Sequence, residues 1–121
     1  MIYEKLDVWL KSKTLVVDVY KQMATCNDYG FKDQITRSCL SVVSNIAEGM
    51  ERKTNPDRIR FLTIAKSSAA EFKAQTQIGL EIDYIQFDYG NKWLTDVEEI
   101  SKMIQGLINK LSSKKTLNSE A

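Results

Sequence analysis

The sequence predicts an all-α protein, an antiparallel up-down-up-down four-helix bundle in one domain, and three observations carry that prediction. Apolar side chains recur at helical spacing in four separate stretches. A single proline, Pro56, and five glycines interrupt 121 residues, so little breaks a long helix. Turn formers gather in short runs between the stretches, and short connections make successive helices antiparallel neighbours. A composition that is 43% hydrophobic and 27% charged is globular rather than disordered, and its length suits a single core.

The first helix is expected over about residues 3–25. Leu6, Trp9, Leu10, Val16, Val17, Tyr20, Met23 and Ala24 form its main apolar row, with Val8, Leu15 and Val19 as a second. Two rows on one helix predict two neighbours, either both flanking helices or one flanking helix and another subunit. Asn27, Asp28, Tyr29 and Gly30 then reverse the chain, Gly30 being suited to a left-handed helix C-terminus.

The second helix is expected over about residues 33–53 with Asp33 as N-cap. Ile35, Cys39, Val42, Val43, Ile46 and Met50 share its inner face, while Arg37, Ser41, Ser44, Asn45, Glu48 and Arg52 share the opposite one. At the next reversal Asn55 reads as an N-cap, Pro56 as the first helical residue, and Asp57 as a carboxylate at the positive end of the dipole. The third helix follows over about residues 56–83, with Phe61, Leu62, Ala65, Ser68, Ala69 and Phe72 inside, then Thr76, Gly79 and Leu80. The small side chains of Ser67, Ser68, Ala69 and Ala70 predict close approach of a neighbouring helix.

Ile85 to Asn91 reads as a loop, and the fourth helix, about residues 92–111, carries Trp93, Val97, Ile100, Ile104, Leu107 and Leu111 in alternating steps of four and three. Residues 1–112 thus make the bundle, and the polar segment 113–121 is expected to be a flexible tail.

Composition narrows the function. Seventeen basic and sixteen acidic side chains leave a formal charge of +1, so no global field draws a polyanion and any nucleic-acid surface must be local. Histidine is absent, which removes the commonest general base and metal ligand. No nucleophile stands with a base, no phosphate loop occurs, and the Glu-x-x-His pairs of di-iron bundles cannot be made. A protein that is not an enzyme and holds no cofactor or metal is expected. Cys26 and Cys39 read as reduced, buried apolar groups, the alternative being a disulfide between them. No segment is apolar enough to span a bilayer and none resembles a signal peptide, so the expected location is cytoplasmic, away from membranes.

The polar stripe on the second helix is the most informative feature. If the second and third helices form a hairpin turning near Thr54 and Asn55, Arg37 comes level with Glu71, Ser41 with Ser67 and Ser68, Asn45 with Ile64 and Ala65, and Arg52 with Asp57. Arg37 is then expected to pair with Glu71 across the hairpin, and Glu48 with Arg52 along the helix. Three uses of the stripe remain open: a solvated face, a packed polar contact with another subunit or ligand, and phosphate binding through Arg37, Arg52, Lys53, Arg58 and Arg60. Short polar side chains at its centre, where a solvated face collects Lys and Glu, favour the second. Gly49 reads as a helix C-terminal position or a close-approach site.

Gln34-Ile35-Thr36-Arg37-Ser38, Ser41, the run Ser44-Asn45-Ile46-Ala47-Glu48-Gly49, and Arg52 together resemble the four-helix-bundle proteins encoded in intervening sequences of bacterial 23S ribosomal RNA genes. The resemblance extends through Phe61-Leu62, Ile64-Ala65, Ser68 and Glu71 to Ile82-Asp83-Tyr84-Ile85, with Trp9 and Tyr20 fitting the first helix. Val43 and Ser67 depart from it, standing where many members have proline and glycine. It implies an up-down bundle assembled as a homopentameric ring. It also implies that Arg37, Ser41, Asn45, Glu48, Arg52 and Glu71 are signature positions of assembly. The accessory protein of diversity-generating retroelements is a similar relative, which binds a reverse transcriptase and nucleic acid. The expected function is therefore a non-enzymatic homo-oligomeric scaffold, its partners being copies of itself, RNA or DNA, and a reverse transcriptase or other protein. The alternative is a purely structural or protein-binding module whose stripe mediates subunit assembly.

Overall fold

The computed structural model describes residue 3 and residues 6–120, the side chains of 114–120 excepted. Four helices, α1 (Asp7–Met23), α2 (Tyr29–Met50), α3 (Asn55–Glu81) and α4 (Phe87–Glu120), run up-down-up-down. Each packs on its neighbours round the bundle, most extensively α2 on α3 and α3 on α4, and α1 closes the ring against α4. The chain is an all-α four-helix bundle, as the periodicity predicts.

The core is a stack of fully buried side chains from all four helices, with Val19 and Met23 of α1, Ile35 and Ile46 of α2, Leu62 and Phe72 of α3, and Trp93, Ile100 and Ile104 of α4. Burying each large one contributes about 1.5–3 kcal/mol relative to exposure. Phe72 and Trp93 lie 6.1 Å apart at its centre. Trp93 is fully buried and its indole N–H donates to Asp18 Oδ2 at 2.7 Å, which ties α4 to α1 while satisfying the one polar atom of the ring. Lys11 of α1 adds ion pairs to Glu99 at 2.6 Å and Asp96 at 3.7 Å along the same seam.

Several element ends differ from the sequence reading. The N-cap of α2 is Asp28, whose side chain accepts from Phe31 N at 3.1 Å, so Asp33 lies inside the helix. Gly30 is the second residue of α2 and no glycine has positive φ; Asp83 does, at 60°, in the α3–α4 turn. Thr54 rather than Asn55 caps α3, accepting from Asp57 N at 3.3 Å, because the hydroxyl one residue earlier reaches the free amide.

The fourth helix begins at Phe87, ahead of the expected Lys92, and Gly90 lies inside it against Leu80, where a Cβ would clash with the leucine side chain. That glycine is a packing position, not a breaker. At the other end no proline or glycine follows Gly106, and the helical backbone is bounded at Glu120. The side chains of 114–120 and all of residue 121, on which the expectation of a flexible tail falls, lie outside the described residues.

The second row of α1 is buried throughout, and the main row is divided between core and surface. Val8, Leu15, Val16, Val19 and Met23 face the core, whereas Leu10, Val17 and Tyr20 of the expected main row are exposed. Both cysteines are free, Cys39 buried and Cys26 half-buried. No described helix is long and apolar enough to cross a membrane.

Candidate functional site

The stripe folds into a hydrogen-bonded ladder along the outer edge of the α2–α3 pair. Ser41 and Ser68 share a hydrogen bond of 2.8 Å across the two helices, at the register the hairpin predicts. Asn45 Nδ2 donates to the Ser41 carbonyl at 2.8 Å and to its hydroxyl at 3.0 Å. One turn earlier Ser38 Oγ donates to Gln75 Oε1 at 2.6 Å, and Gln75 Nε2 donates to Glu71 Oε1 at 3.3 Å. Bonds of this kind contribute about 0.5–1.5 kcal/mol each. Their geometric effect is to fix which face of α3 stands beside the stripe, and that face carries Ile64 and Ile78, both exposed.

Arg37 does not reach Glu71. It pairs within its own helix, its Nε 3.2 Å from Asp33 Oδ1 and 3.1 Å from Oδ2. The earlier start of α2 places Asp33 one helical turn before Arg37, and an intrahelical carboxylate is nearer than one on a neighbouring helix. Arg37 is also largely exposed, so the pair is worth little in stability. Glu48 and Arg52 do pair along the helix as expected.

The basic residues gather at the α2–α3 turn. The guanidinium carbons of Arg52 and Arg60 each stand 4.6 Å from the centroid of the Phe61 ring. Arg60 contacts Asp57 at 3.6 Å, Arg58 Nη1 donates to Asn55 Oδ1 at 2.8 Å, and Lys53 is exposed beside them. Arg52 has one Nε–H without a protein acceptor. Gly49 makes the cluster possible: a Cβ there would stand 3.1 Å from Phe61 Cβ and 3.2 Å from the Arg58 carbonyl, so its absence lets the start of α3 settle on α2. Of the five candidate phosphate contacts, Arg52, Lys53, Arg58 and Arg60 come together, while Arg37 lies about 22 Å away along α2 at 1.5 Å rise per residue.

Sequence reasoning missed two surfaces. Two apolar rows on α1 leave open whether the second neighbour is a flanking helix or another subunit, and periodicity alone does not show that Leu10, Val17 and Tyr20 are the exposed ones. At the α1–α2 and α3–α4 turns, Tyr84 OH donates to Asp28 Oδ2 at 3.0 Å, and that bond raises the phenol above its ordinary value. Elsewhere the hydrogen bond from Lys73 holds the Glu98 carboxyl below its ordinary value, and the bond to Glu99 raises Lys11. Among the described residues no group of three or more Cys, Asp or Glu is placed to hold a metal ion.

Comparison with known proteins places this geometry. A solved structure described as a protein with unknown function from the S23 ribosomal protein family, from Bacteroides thetaiotaomicron, superposes with a TM-score of 0.78 at 27% identity, covering 84% of this chain and 97% of that one. No curated protein matches the chain. The family described as 23S rRNA-intervening sequence protein matches residues 4–106, most of the chain, including the whole Asn45-to-Gly49 signature and Arg52. The chain belongs to the 23S rRNA-intervening sequence protein family.

Proposed function

We propose that this protein is a non-enzymatic homo-oligomeric scaffold, a pentameric ring, that binds RNA or DNA through the arginine cluster at its α2–α3 turn. The observation that carries the assembly is the apolar row Leu10, Val17 and Tyr20 on α1, each left more than 40% exposed. A closed ring uses a head-to-tail contact, so each protomer needs two different complementary surfaces. The α1 row supplies one, and the α2–α3 ladder with Ile64 and Ile78 beside it supplies the other. Short, internally bonded polar side chains flanked by apolar ones suit a packed subunit contact better than a solvated face.

Nucleic-acid binding rests on Arg52, Lys53, Arg58 and Arg60, four cations within nine residues of sequence. Phe61 holds two of the guanidiniums in place, which lowers the entropy lost when a phosphate is engaged. A ring would repeat this modest patch about its axis, giving a field that the net charge of a single chain does not. The role expected of such a scaffold is to position nucleic acid for another protein in the cytoplasm.

Light scattering on the purified chain tests assembly: the expected mass is five times 13.9 kDa, falling on Leu10→Ser with Val17→Ser. A monomer at working concentration refutes the ring. A salt titration of RNA binding tests the contact, because log affinity falls with log salt in proportion to the phosphates neutralised. Arg52→Gln with Arg60→Gln should flatten that slope, and an unchanged slope would remove the cluster from the interface.

A further inference from the structure

Of the ten large hydrophobic side chains exposed among the described residues, five lie at one end of the bundle: Tyr29 at the start of α2, Ile78 and Ile82 at the end of α3, Tyr84 in the turn, and Phe87 at the start of α4. Scattered exposed apolar residues are ordinary, but half of them at one end, Phe87 at 76% and Tyr29 at 74% exposure, are a concentrated patch. The patch is not a loose loop. Tyr84 packs edge-on against Phe31 at 5.3 Å, its hydroxyl is held by Asp28, and its backbone N–H donates to Gly79 O at 2.9 Å. The same turn sends Ile85 inward against Gly79 while Ile82, Tyr84 and Phe87 stay outside, so the apolar side chains are presented on an ordered frame.

The charges around the patch are one-sided. Glu81, Asp83 and Asp88 are exposed and have no ion-pair partner among the described residues. The cations at this end are mostly committed: Lys32 donates to Ala24 O at 3.1 Å and lies over the Tyr29 ring, and Lys92 is bound to Asp96 at 2.9 Å. Lys21 remains, on α1. A phosphate backbone or an anionic lipid surface would meet three unneutralised carboxylates here. A second copy offering its arginine end would make a head-to-tail stack along the bundle axis, which does not close and would polymerise.

We propose that this end of the bundle docks a segment of a different protein in which Lys or Arg alternates with apolar side chains. The apolar patch supplies the buried centre of the contact, and Glu81, Asp83 and Asp88 form a rim that selects cationic partners and repels anionic ones. Ile78 borders the proposed subunit surface, but Tyr29, Ile82, Tyr84 and Phe87 stand apart from the α1 row, the ladder and the α2–α3 turn, so substitutions at Tyr29 and Phe87 test this contact separately from assembly and nucleic-acid binding.

The probe is a synthetic amphipathic leucine–lysine helical peptide, titrated by fluorescence anisotropy into the full-length protein, with the leucine–glutamate peptide of the same pattern as its counterpart. The leucine–lysine peptide should bind and the leucine–glutamate peptide should not. Tyr29→Ser with Phe87→Ser should weaken binding at least tenfold, whereas Leu10→Ser with Val17→Ser should leave it within twofold. Glu81→Gln with Asp83→Asn and Asp88→Asn should weaken it and reduce its salt dependence. All the altered side chains are exposed, and circular dichroism confirms that each variant is folded. Equal binding of the two peptides, equal loss in the α1 variant, or full binding by the Tyr29 and Phe87 variant overturns the proposal. So does a change of oligomeric mass in that variant with peptide affinity intact, which would make the patch a subunit contact.

Discussion

Replacing Gly49 and Gly106 separately by alanine isolates the energetic value of the close approach between α2 and α3. Both glycines lie within helices, so alanine brings each up to about 1 kcal/mol of helix propensity. At Gly106 nothing lies within 4 Å of the added methyl, and the propensity gain should be realised in full. At Gly49 the methyl meets Phe61 Cβ at 3.1 Å and the Arg58 carbonyl at 3.2 Å, and neither neighbour is the far end of a flexible side chain. Overpacking a rigid contact of this kind costs about 1–3 kcal/mol, so Gly49→Ala should be destabilising by about 0–2 kcal/mol after the propensity gain is taken off. The gap between the two variants, in which propensity largely cancels, is the overpacking cost. Urea unfolding followed by far-ultraviolet circular dichroism measures it, with an unchanged m-value in both, at one fixed protomer concentration because assembly contributes to apparent stability. If Gly49→Ala stabilises as much as Gly106→Ala, the two helices are not in contact there and the account of the arginine cluster loses its foundation.

Two further outcomes follow from the seam and the thiols. Asp18→Ala leaves the fully buried Trp93 indole N–H without its acceptor and should cost about 1–3 kcal/mol in thermal or urea unfolding, with Asp18→Asn recovering most of it; equal losses in the two would mean that the bond at 2.7 Å contributes nothing. Burial holds the Cys39 thiol far above its ordinary value, so in the native protein iodoacetamide should modify Cys26 and spare Cys39, and both should react in denaturant; rapid native modification of Cys39 would contradict its place in the core.

Much of the fold was legible because helical periodicity, Pro56 and the turn formers agree with one another. The Ser41–Ser68 bond shows how far that reaches, since register follows from the position of the hairpin turn alone. Arg37 shows where it stops. Its partner depended on whether α2 starts at Asp28 or Asp33, and both are capping residues followed by helix-compatible sequence, so local chemistry does not choose between them. The structure caps α2 at Asp28 and packs Phe31 against Tyr84, a contact far along the chain that no local reading contains. Gly90 misled in the same way, because a glycine that admits Leu80 and a glycine that ends a helix are the same letter. The arginine cluster was legible in sequence except for Phe61, which was read as a core residue and instead lies half-buried between two guanidiniums.

The bond between Trp93 and Asp18 joins residues 75 apart in sequence, whereas the Ser41–Ser68 bond joins residues 27 apart. Closing the longer loop from an unfolded chain costs about 1 kcal/mol more in conformational entropy, by the logarithmic dependence on loop length. Every other helix pairing in the bundle is between neighbours along the chain and is reached through a short turn. Among the described helix pairings, the seam of α1 with α4 is the one between helices distant along the chain, and beside its apolar packing it carries one indole bond and the ion pairs of one lysine. Among the polar contacts, those that tie the first helix to the last therefore rest on Asp18, Trp93 and Lys11, and substitutions there should act on closure of the bundle more than on its chain-neighbour helix pairs.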